Sequence, residues 1–466
     1  MLDDQLQPPA PPALMRSLGV AGVLFLTLSV TSPASSVFVI VPGMLQAAGT
    51  GAVWAMIIAG IVCVATAFIY AELSSAWPVA GGEYVAVANT LGPLAGFVML
   101  GINVFNNLFF PPAIALGVAA LLTGIAPGLP AIPIAMAIVA GSTLVALLRI
   151  RTNAYITGIF LLIEVAALVA VAWLGFGAVV RPPIELLTAP VMASGAALVP
   201  ATPAGIGVAT TIAIFALNGY GAAVYFGEEM HEAPRRIAKA ILWALVLTLM
   251  FEAVPLVAIL VNAPDLVGLL ASDDPFGGVI RRLAGDDVAN WTAIAVVVAI
   301  VNAIIACVLA CARFFYSTGR DGCWGNPIDR LIAAIHPHFE SPWIATLFAG
   351  GFGTICCLLP LQFLLVLSGT GLIAIYAGIA LATMAGRARG LTAHAPYQMP
   401  LYPLAPLITL AALGYITWTS WLDLEEGRPG LIMTGIQIIL SASYYWLVLR
   451  RRPGWAAQAP MDEAAE

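Results

Sequence analysis

Apolar stretches recur along this chain from residue 18 to residue 449, and most reach the roughly 20 residues that a helix needs to cross a membrane. Charged residues make up only 9% of the 466 residues and hydrophobic residues 61%, whereas soluble domains carry about 25% charged residues. These proportions exclude a soluble, disordered or disulfide-stapled protein. We predict an all-α polytopic membrane protein.

The hydropathy pattern predicts twelve transmembrane helices, and the basic residues predict their orientation. The spans lie near residues 18–46, 51–75, 93–123, 130–148, 153–180, 205–227, 238–262, 291–317, 342–360, 362–386, 401–421 and 430–449. Cytoplasmic loops carry an excess of Lys and Arg. With a cytoplasmic amino terminus, the basic residues that fall outside, of 18 in all, are Arg181, Arg281, Arg282 and Arg428. We therefore predict a plasma- or inner-membrane protein whose tails, residues 1–17 and 450–466, are both cytoplasmic.

Two predicted extracellular connections are longer than the others. They cover residues 181–204 and 263–290. Their Pro, Gly and Ala content predicts ordered caps in place of free linkers. We expect the function itself to reside within the bilayer.

Two predicted spans are interrupted in their middles by small, polar and helix-breaking residues. These are Thr31, Ser32, Pro33, Ala34, Ser35 and Ser36 in the first span, and Asn218, Gly219, Tyr220 and Gly221 in the sixth. Such breaks survive at membrane depth where they line a cavity or are buried in protein. One break alone is commonly a simple proline kink. Two breaks at corresponding positions of two halves instead indicate the substrate site of a transporter.

The chemistry of the first break suits a small zwitterion. The half-helix that begins near Ser35 presents N–H groups and a positive dipole end, which favour a carboxylate. The backbone carbonyls near Thr31 and Ser32 favour an ammonium group or another cation. Phe215, just before the second break, is a candidate apolar lid over the ligand.

Four stretches of the sequence resemble the amino acid–polyamine–organocation superfamily of permeases. They are residues 71–97, the first break with Val37-Phe38 and Pro42-Gly43, residues 215–241 and residues 311–324. The resemblance implies a five-plus-five inverted repeat of the leucine-transporter type, with helices 1 and 6 broken. The repeats would be residues 18–180 and 205–386, and residues 401–449 would add two helices. It also implies transport of amino acids or related amines by alternating access.

The resemblance also suggests roles by position. Ala34, Ser35 and Ser36 occupy the place of a Gly-Ser-Gly carboxylate-binding turn, and Phe215 that of an aromatic gate. The backbone of residues 216–219 would offer carbonyls to the substrate amine, and Asn106 or Asn107 would face the site. The predicted substrate-binding residues are Thr31, Ser32, Ala34, Ser35, Ser36, Asn106, Phe215, Ala216, Asn218, Gly219 and Tyr220.

The chain departs from the family pattern in three places. Ala34 and Ser36 replace both glycines of the carboxylate-binding turn. Gly221 stands where many members carry a glutamate. The fifth span has no lysine, and Glu164 falls near the position where many proton-coupled members have one.

Glu164 and Glu252 are the clear charges in the middle of predicted spans. A charge at bilayer depth is costly, so such a residue is by default a functional hypothesis. We expect Glu164 to carry the coupling proton, with a purely structural, hydrogen-bonded role as the alternative. For Glu252 we favour the structural role, in which it bonds a backbone group that Pro255 leaves free.

Charges of both signs follow the sixth and eighth spans. They are Glu228, Glu229, Glu232, Arg235, Arg236 and Lys239 after the sixth, and Arg313, Arg320 and Asp321 at the end of the eighth. Two interpretations stay open. The charges are either solvated loop residues or a cytoplasmic gate that closes by ion pairing.

We predict a small-molecule substrate, with protons and the lipid bilayer as partners and no nucleic acid, metal or cofactor. The net charge is −6, and the cysteines and histidines lack the spacing of a zinc site. A channel would need a continuous polar stripe, and an enzyme a convergent nucleophile and base; the sequence has neither pattern.

The acid expected near the pocket is Glu164, so a neutral or modestly polar amino acid is the expected substrate. The alternative is an amine or polyamine permease, in which Glu164 binds the ammonium, or a solute exchanger on the same fold. Sodium coupling is disfavoured because the middle of the eighth span offers Asn302 but no Ser or Thr.

Overall fold

The computed structural model describes residues 14–125 and 128–452, together with residues 455 and 457. Most of the predicted tails, residues 1–13 and 458–466 among them, lie outside the described residues. The described part is almost entirely helical. Its continuous long helices are Ala52–Ala76, Pro93–Ile125, Ala131–Ala146, Ile150–Gly177, Ala233–Asn262, Asp286–Arg320, Trp343–Cys356, Gly371–Ala388, Leu404–Leu422 and Gly427–Leu447.

Among the described residues, nine helical segments are long and apolar enough to cross a membrane. One of them, Val20–Ala76, contains two of the predicted spans end to end. Two shorter apolar helices, Ala131–Ala146 and Trp343–Cys356, coincide with the predicted fourth and ninth spans. The protein is therefore polytopic, and each predicted span overlaps an apolar helix. The division into twelve crossings stays a prediction.

The first broken helix runs from residue 20 to residue 48. Its first half, Val20–Thr31, ends at Ser32, which adopts a left-handed conformation with φ 45°. A short helix, Pro33–Ser35, follows. A π-helical turn, Ser36–Ile40, then leads into Val41–Ala48. The break arises because Pro33 has no N–H to donate to the preceding turn.

The second broken helix runs from residue 203 to residue 229. Its regular part, Pro203–Ala216, is capped by the Thr202 side chain, which accepts a hydrogen bond from Gly205 N. The chain then turns through Gly219, at φ 123°, and continues as a 3₁₀ helix, Tyr220–Glu229. Both breaks thus lie where the sequence predicts them.

The helix Ile150–Gly177 illustrates how these helices divide lipid from protein. One face is exposed and apolar, and includes Tyr155, Leu162 and Trp173. The opposite face is buried and carries Asn153, Thr157 and Glu164. This arrangement matches a membrane helix, in which polar side chains face the protein interior.

The connections at the predicted extracellular side contain regular structure. Residues 181–204 hold the helix Glu185–Thr188 and an antiparallel hairpin in which Val191 pairs with Pro200. The strands are Val191–Ser194 and Ala197–Pro200. Residues 263–290 hold two short helices, Leu266–Leu270 and Pro275–Ala284. The remaining short helices are Gly49–Gly51, Glu83–Leu91, Ile328–Ile332, Leu361–Gly369 and Leu449–Arg451.

Candidate functional site

The two helix breaks are in direct contact. Gly219 packs so closely on the first break that an added Cβ would lie 2.6 Å from Thr31 Oγ1 and 2.8 Å from Thr31 Cα. The Ser36 hydroxyl donates a 3.1 Å hydrogen bond to the carbonyl of Ala216. The sequence predicts the two breaks separately, and the fold brings them together.

A cavity of about 380 Å³ lies beside the two breaks, a volume within the usual range for small-molecule sites. Nine of the predicted site residues line it, and Asn107 lines it as well. The nine are Thr31, Ser32, Ser35, Ser36, Asn106, Phe215, Ala216, Asn218 and Gly219. The two others, Ala34 and Tyr220, lie outside its lining.

The placement of Ala34 and Tyr220 has a simple explanation. The Ala34 N–H, predicted as part of a carboxylate-binding turn, donates to the Glu164 carboxylate at 2.8 Å. Tyr220 turns towards the helix Ala52–Ala76 and packs edge-on against Tyr70, with the ring centres 6.1 Å apart. The carbonyl of Ala216, predicted to meet the substrate amine, already accepts the Ser36 hydroxyl.

Glu164 binds the first break from behind the cavity. Its side chain is fully buried, and Oε1 accepts both the Ala34 N–H and the Ser32 hydroxyl, the latter at 3.2 Å. The carboxylate thus sits at the start of a half-helix, where backbone N–H groups favour an anion. Glu164 does not line the cavity, so its link to the site runs through the Ala34 N–H and the Ser32 hydroxyl.

Glu252 lies on a second helix that packs against the same break. The short helix Pro33–Ser35 packs against both Ile150–Gly177 and Ala233–Asn262, which carry the two carboxylates. Within the described structure, neither oxygen of Glu252 has a hydrogen-bond partner, although the side chain is fully buried. The prediction that Glu252 bonds a backbone group freed by Pro255 is therefore wrong.

The acid that does line the cavity is Glu83, which the sequence analysis did not assign. The hydropathy pattern leaves residues 76–92 outside the predicted spans, whereas this segment forms the helix Glu83–Leu91, whose first residue lines the cavity. Gly82 allows this turn of the chain for two reasons. Its φ of 55° favours glycine, and its packing leaves no room for a side chain, since an added Cβ would lie 2.5 Å from Val224 Cγ2. A glutamate directly after two glycines was the available signal. Glu164, the acid expected near the pocket, contacts the first break but does not line the cavity.

Buried ion pairs follow the cavity-lining residues Tyr225 and Ala310 in the chain, on the side predicted to be cytoplasmic. Arg313 makes a two-pronged pair with Glu229, at 2.5 and 3.0 Å, and both side chains are at most 1% exposed. Arg320 pairs with Glu228 and Asp321. These residues are therefore not solvated loop charges. That interpretation does hold for Glu232 and Arg236, an exposed pair.

Two further contacts involve the acids of these ion pairs. The Tyr84 hydroxyl donates to Asp321 at 2.7 Å, and the Ala80 N–H donates to Glu228 at 2.9 Å. The segment around Glu83 is thereby joined to the ends of the second broken helix and of Asp286–Arg320. Val39, which follows the first break towards the predicted extracellular side and is 46% exposed, forms part of the cavity wall.

A cavity beside two broken membrane helices is the arrangement of a transporter's substrate site. The family model described as amino acid permease matches residues 18–444. The chain belongs to this family. The resemblance to the amino acid–polyamine–organocation superfamily is thereby confirmed, and the protein is a multi-pass membrane permease and not an enzyme.

The curated relatives of the permease are distant but cover most of its length. The methylthioribose transporter of Bacillus subtilis is 25% identical, over 78% of this chain and 80% of its own. An uncharacterised transporter of Mycobacterium bovis is 26% identical, over 73% of both chains. The low-affinity putrescine importer of Escherichia coli is 21% identical, over 81% of this chain and 82% of its own.

Proposed function

We propose that this permease is a secondary active transporter of amino acids, driven by protons and working by alternating access. The observation that carries the proposal is the contact of the two helix breaks, Thr31 against Gly219, beside a cavity of about 380 Å³. Broken helices in two halves of a transporter commonly form its substrate site. The family match over residues 18–444 supports the same conclusion.

The proposed layout has twelve spans, with a five-plus-five inverted repeat over residues 18–180 and 205–386. Two further helices, within residues 401–449, complete it. The proposal places both termini in the cytoplasm, because that orientation puts nearly all Lys and Arg inside. It is supported by the apolar helix found at each predicted span.

The substrate is proposed to lie between the breaks and the helix Pro93–Ile125. Thr31, Ser32 and Ser35 of the first break line the cavity, as do Asn218 and Gly219 of the second. Asn106 and Phe215 complete the walls. Because the Ala34 N–H and the Ala216 carbonyl are already engaged, the substrate must find its main partners among the remaining lining groups.

Coupling is proposed to run through Glu164. In its ionised form the carboxylate is a strong acceptor for the Ala34 N–H and the Ser32 hydroxyl, and so holds the first break in the observed shape. Protonation weakens both hydrogen bonds, because the charge that strengthens them is lost. A proton on Glu164 would thereby change the stability of one conformation of the break relative to another.

The buried ion pairs fit the proposed cycle, in which they close the cavity on the cytoplasmic side. Opening the cavity on that side must separate Arg313 from Glu229 and Arg320 from Glu228. The interactions of the open state have to replace these buried pairs, because an unpaired charge left in the protein interior is strongly destabilising. This gives the closed conformation its own stabilising contacts, as alternating access requires.

Transport of an amine or polyamine, or exchange of one solute for another, is the alternative on the same fold. One relative is named as a putrescine importer, which favours an amine. Another is named as a methylthioribose transporter, so the relatives do not share one substrate class. Sodium coupling stays disfavoured.

The test is uptake of a labelled amino acid and amine panel into proteoliposomes, with and without an inward proton gradient. The native chain is compared with Glu164→Gln, which keeps the shape and removes the titrating group. Glu185→Gln, on an exposed side chain, is the control. We expect Glu164→Gln to lose the stimulation by the gradient and to retain solute exchange.

Two results would contradict this proposal at different levels. Unchanged gradient dependence in Glu164→Gln would reduce Glu164 to a structural role and leave transport itself intact. Absence of flux for every member of the panel, under proton and sodium gradients alike, would refute the transport function.

A further inference from the structure

Glu83 is a buried carboxylate at the wall of the cavity, and the coupling scheme above does not use it. Its side chain is only 5% exposed, and it lines the same cavity as the two helix breaks. Glu164 and Glu252 are buried as well, but neither lines that space. Glu83 is therefore the acid that a solute in the cavity can reach.

The neighbours of Glu83 are neutral hydrogen-bond donors from three different helices. The Tyr70 hydroxyl donates to Oε1 at 2.9 Å, and the Tyr225 hydroxyl donates to Oε2 at 3.0 Å. The Asn103 amide also donates to Oε2, at 3.3 Å. These contacts orient the carboxylate and stabilise its charge without neutralising it.

No basic side chain in the described part of the chain forms a salt bridge with Glu83. Arg313 and Arg320 are engaged by Glu229, Glu228 and Asp321. A buried carboxylate is costly unless it is paired. The charge of an ionised Glu83 is thus available to a cation that binds from solution.

A second acceptor next to Glu83 is also unsatisfied. Asn103 is fully buried and lines the cavity, and its amide donates to Glu83. Its oxygen, Oδ1, has no hydrogen-bond partner among the described residues. Buried polar atoms are normally paired. A carboxylate and an unpaired amide oxygen at the wall of one cavity together provide the hydrogen-bond acceptors that an ammonium group requires.

We infer that Glu83 and Asn103 bind an ammonium group of the substrate, at a subsite distinct from the helix breaks. This inference rests on the proposed transport function and narrows its substrate class. If the breaks hold one polar end of the solute, Glu83 holds a second, positively charged end. The substrate class is then diamines or basic amino acids, in place of the neutral amino acids that the sequence predicts.

The two ends of this site are linked by aromatic residues. Tyr70, which donates to Glu83, packs edge-on against Tyr376, with the ring centres 6.0 Å apart. The Tyr376 hydroxyl donates to Asn218 Oδ1 in the second break, at 2.5 Å. A solute that engages Glu83 and the breaks together would therefore contact one connected set of side chains.

The test compares pairs of solutes that differ by one ammonium group. Ornithine is compared with norvaline, and putrescine with butylamine, as competitors and as labelled substrates in proteoliposomes of the native chain. We expect the diammonium member of at least one pair to bind roughly 10- to 100-fold more tightly, as a charge-assisted hydrogen bond predicts. Glu83→Gln should abolish that difference, and Glu83→Asp should retain most of it.

A matched variant and a fold check keep the result interpretable. Glu232→Gln removes an exposed carboxylate far from the cavity wall and should preserve the preference. If Glu83→Gln does not fold, Asn103→Ala deletes the unpaired acceptor while Glu83 stays, and should reduce the preference about tenfold. Thermal unfolding of each purified variant separates loss of selectivity from loss of fold.

Three results would overturn the inference. The native chain could bind norvaline as tightly as ornithine, and butylamine as tightly as putrescine. The transport function would then stand, but the ammonium subsite would not. Glu83→Gln could weaken all solutes equally, which would make Glu83 structural. It could also change the pH dependence of uptake alone, which would make Glu83 a proton site. Absence of all flux would refute the transport function itself.

Discussion

Gly219 lies against Thr31 at a distance that leaves no room for a side chain. An added Cβ would approach Thr31 Oγ1 to 2.6 Å and Thr31 N to 3.0 Å. The backbone of Gly219 is also at φ 123°, where residues with a Cβ are strained. Two broken helices that are far apart in the sequence thus meet at one glycine.

We predict that Gly219→Ala separates the two breaks and abolishes transport. The methyl group must displace the backbone of Thr31, and the Ser36 bond to Ala216 lies in the same contact. Overpacking of this kind costs about 1–3 kcal/mol of stability. Uptake and thermal unfolding of the purified variant measure the two effects.

Gly414→Ala is the matched control for this substitution. Gly414 lies inside the helix Leu404–Leu422, and nothing lies within 4 Å of an added Cβ. Alanine there should preserve transport and raise stability slightly, because it favours the helix. Equal rates of uptake and equal thermal stability in the two variants would contradict a special role for Gly219.

The buried pair of Arg313 and Glu229 gives a prediction about stability. Arg313→Gln leaves Glu229 buried without its partner, which should cost about 3–5 kcal/mol. Arg236→Gln breaks the exposed pair with Glu232 and should cost at most about 1 kcal/mol. Thermal unfolding in detergent compares the variants, and a similar small shift for both would show that the buried pair contributes little.

Ser36→Ala tests the hydrogen bond that joins the two breaks. The substitution leaves the Ala216 carbonyl without the hydroxyl donor, which should cost about 0.5–1.5 kcal/mol. Thr417→Ala removes a hydroxyl that bonds only within its own helix, to Leu413 O. We expect Ser36→Ala to lower the rate of uptake and Thr417→Ala to leave it unchanged. An unaltered rate in Ser36→Ala would mean that the bond is incidental.

Cys307 gives a test of the cavity and of its orientation. It is the cysteine that lines the cavity, whereas Cys63 and Cys311 are buried elsewhere in the helical packing. A charged, membrane-impermeant thiol reagent added to whole cells should modify Cys307 from outside, and a bound substrate should protect it. Persistent labelling in Cys307→Ser would show that the reagent modifies another residue. Labelling only from the cytoplasmic side would contradict the proposed orientation and the access to the cavity from outside.

Some features of this protein were predictable because they depend on local sequence. The membrane class follows from apolar runs, and the positions of both breaks follow from Pro33 and from the pair Asn218-Gly219, whose effect on a helix is short-range. Most predicted site residues line the cavity for the same reason, since they lie at the breaks.

What the tertiary structure alone decided is which groups meet. The sequence marks Glu164 as a charge near the site, but packing places it behind the first break, on the Ala34 N–H. It marks Glu252 as a hydrogen-bonded residue, and the fold leaves its oxygens without partners in the described structure.

Glu83 is the clearest case of a residue whose role depends on tertiary contacts and not on local sequence. A pattern of hydropathy treats it as part of a loop, because the segment is too short and too polar to cross a membrane. Its place at the cavity depends on Gly82 against Val224 and on Tyr70, Asn103 and Tyr225 arriving from three helices. The sequence by itself determined that this chain lies in a membrane and where its helices break. The environment of each buried carboxylate was decided by contacts between residues distant in the chain, which no local pattern encodes.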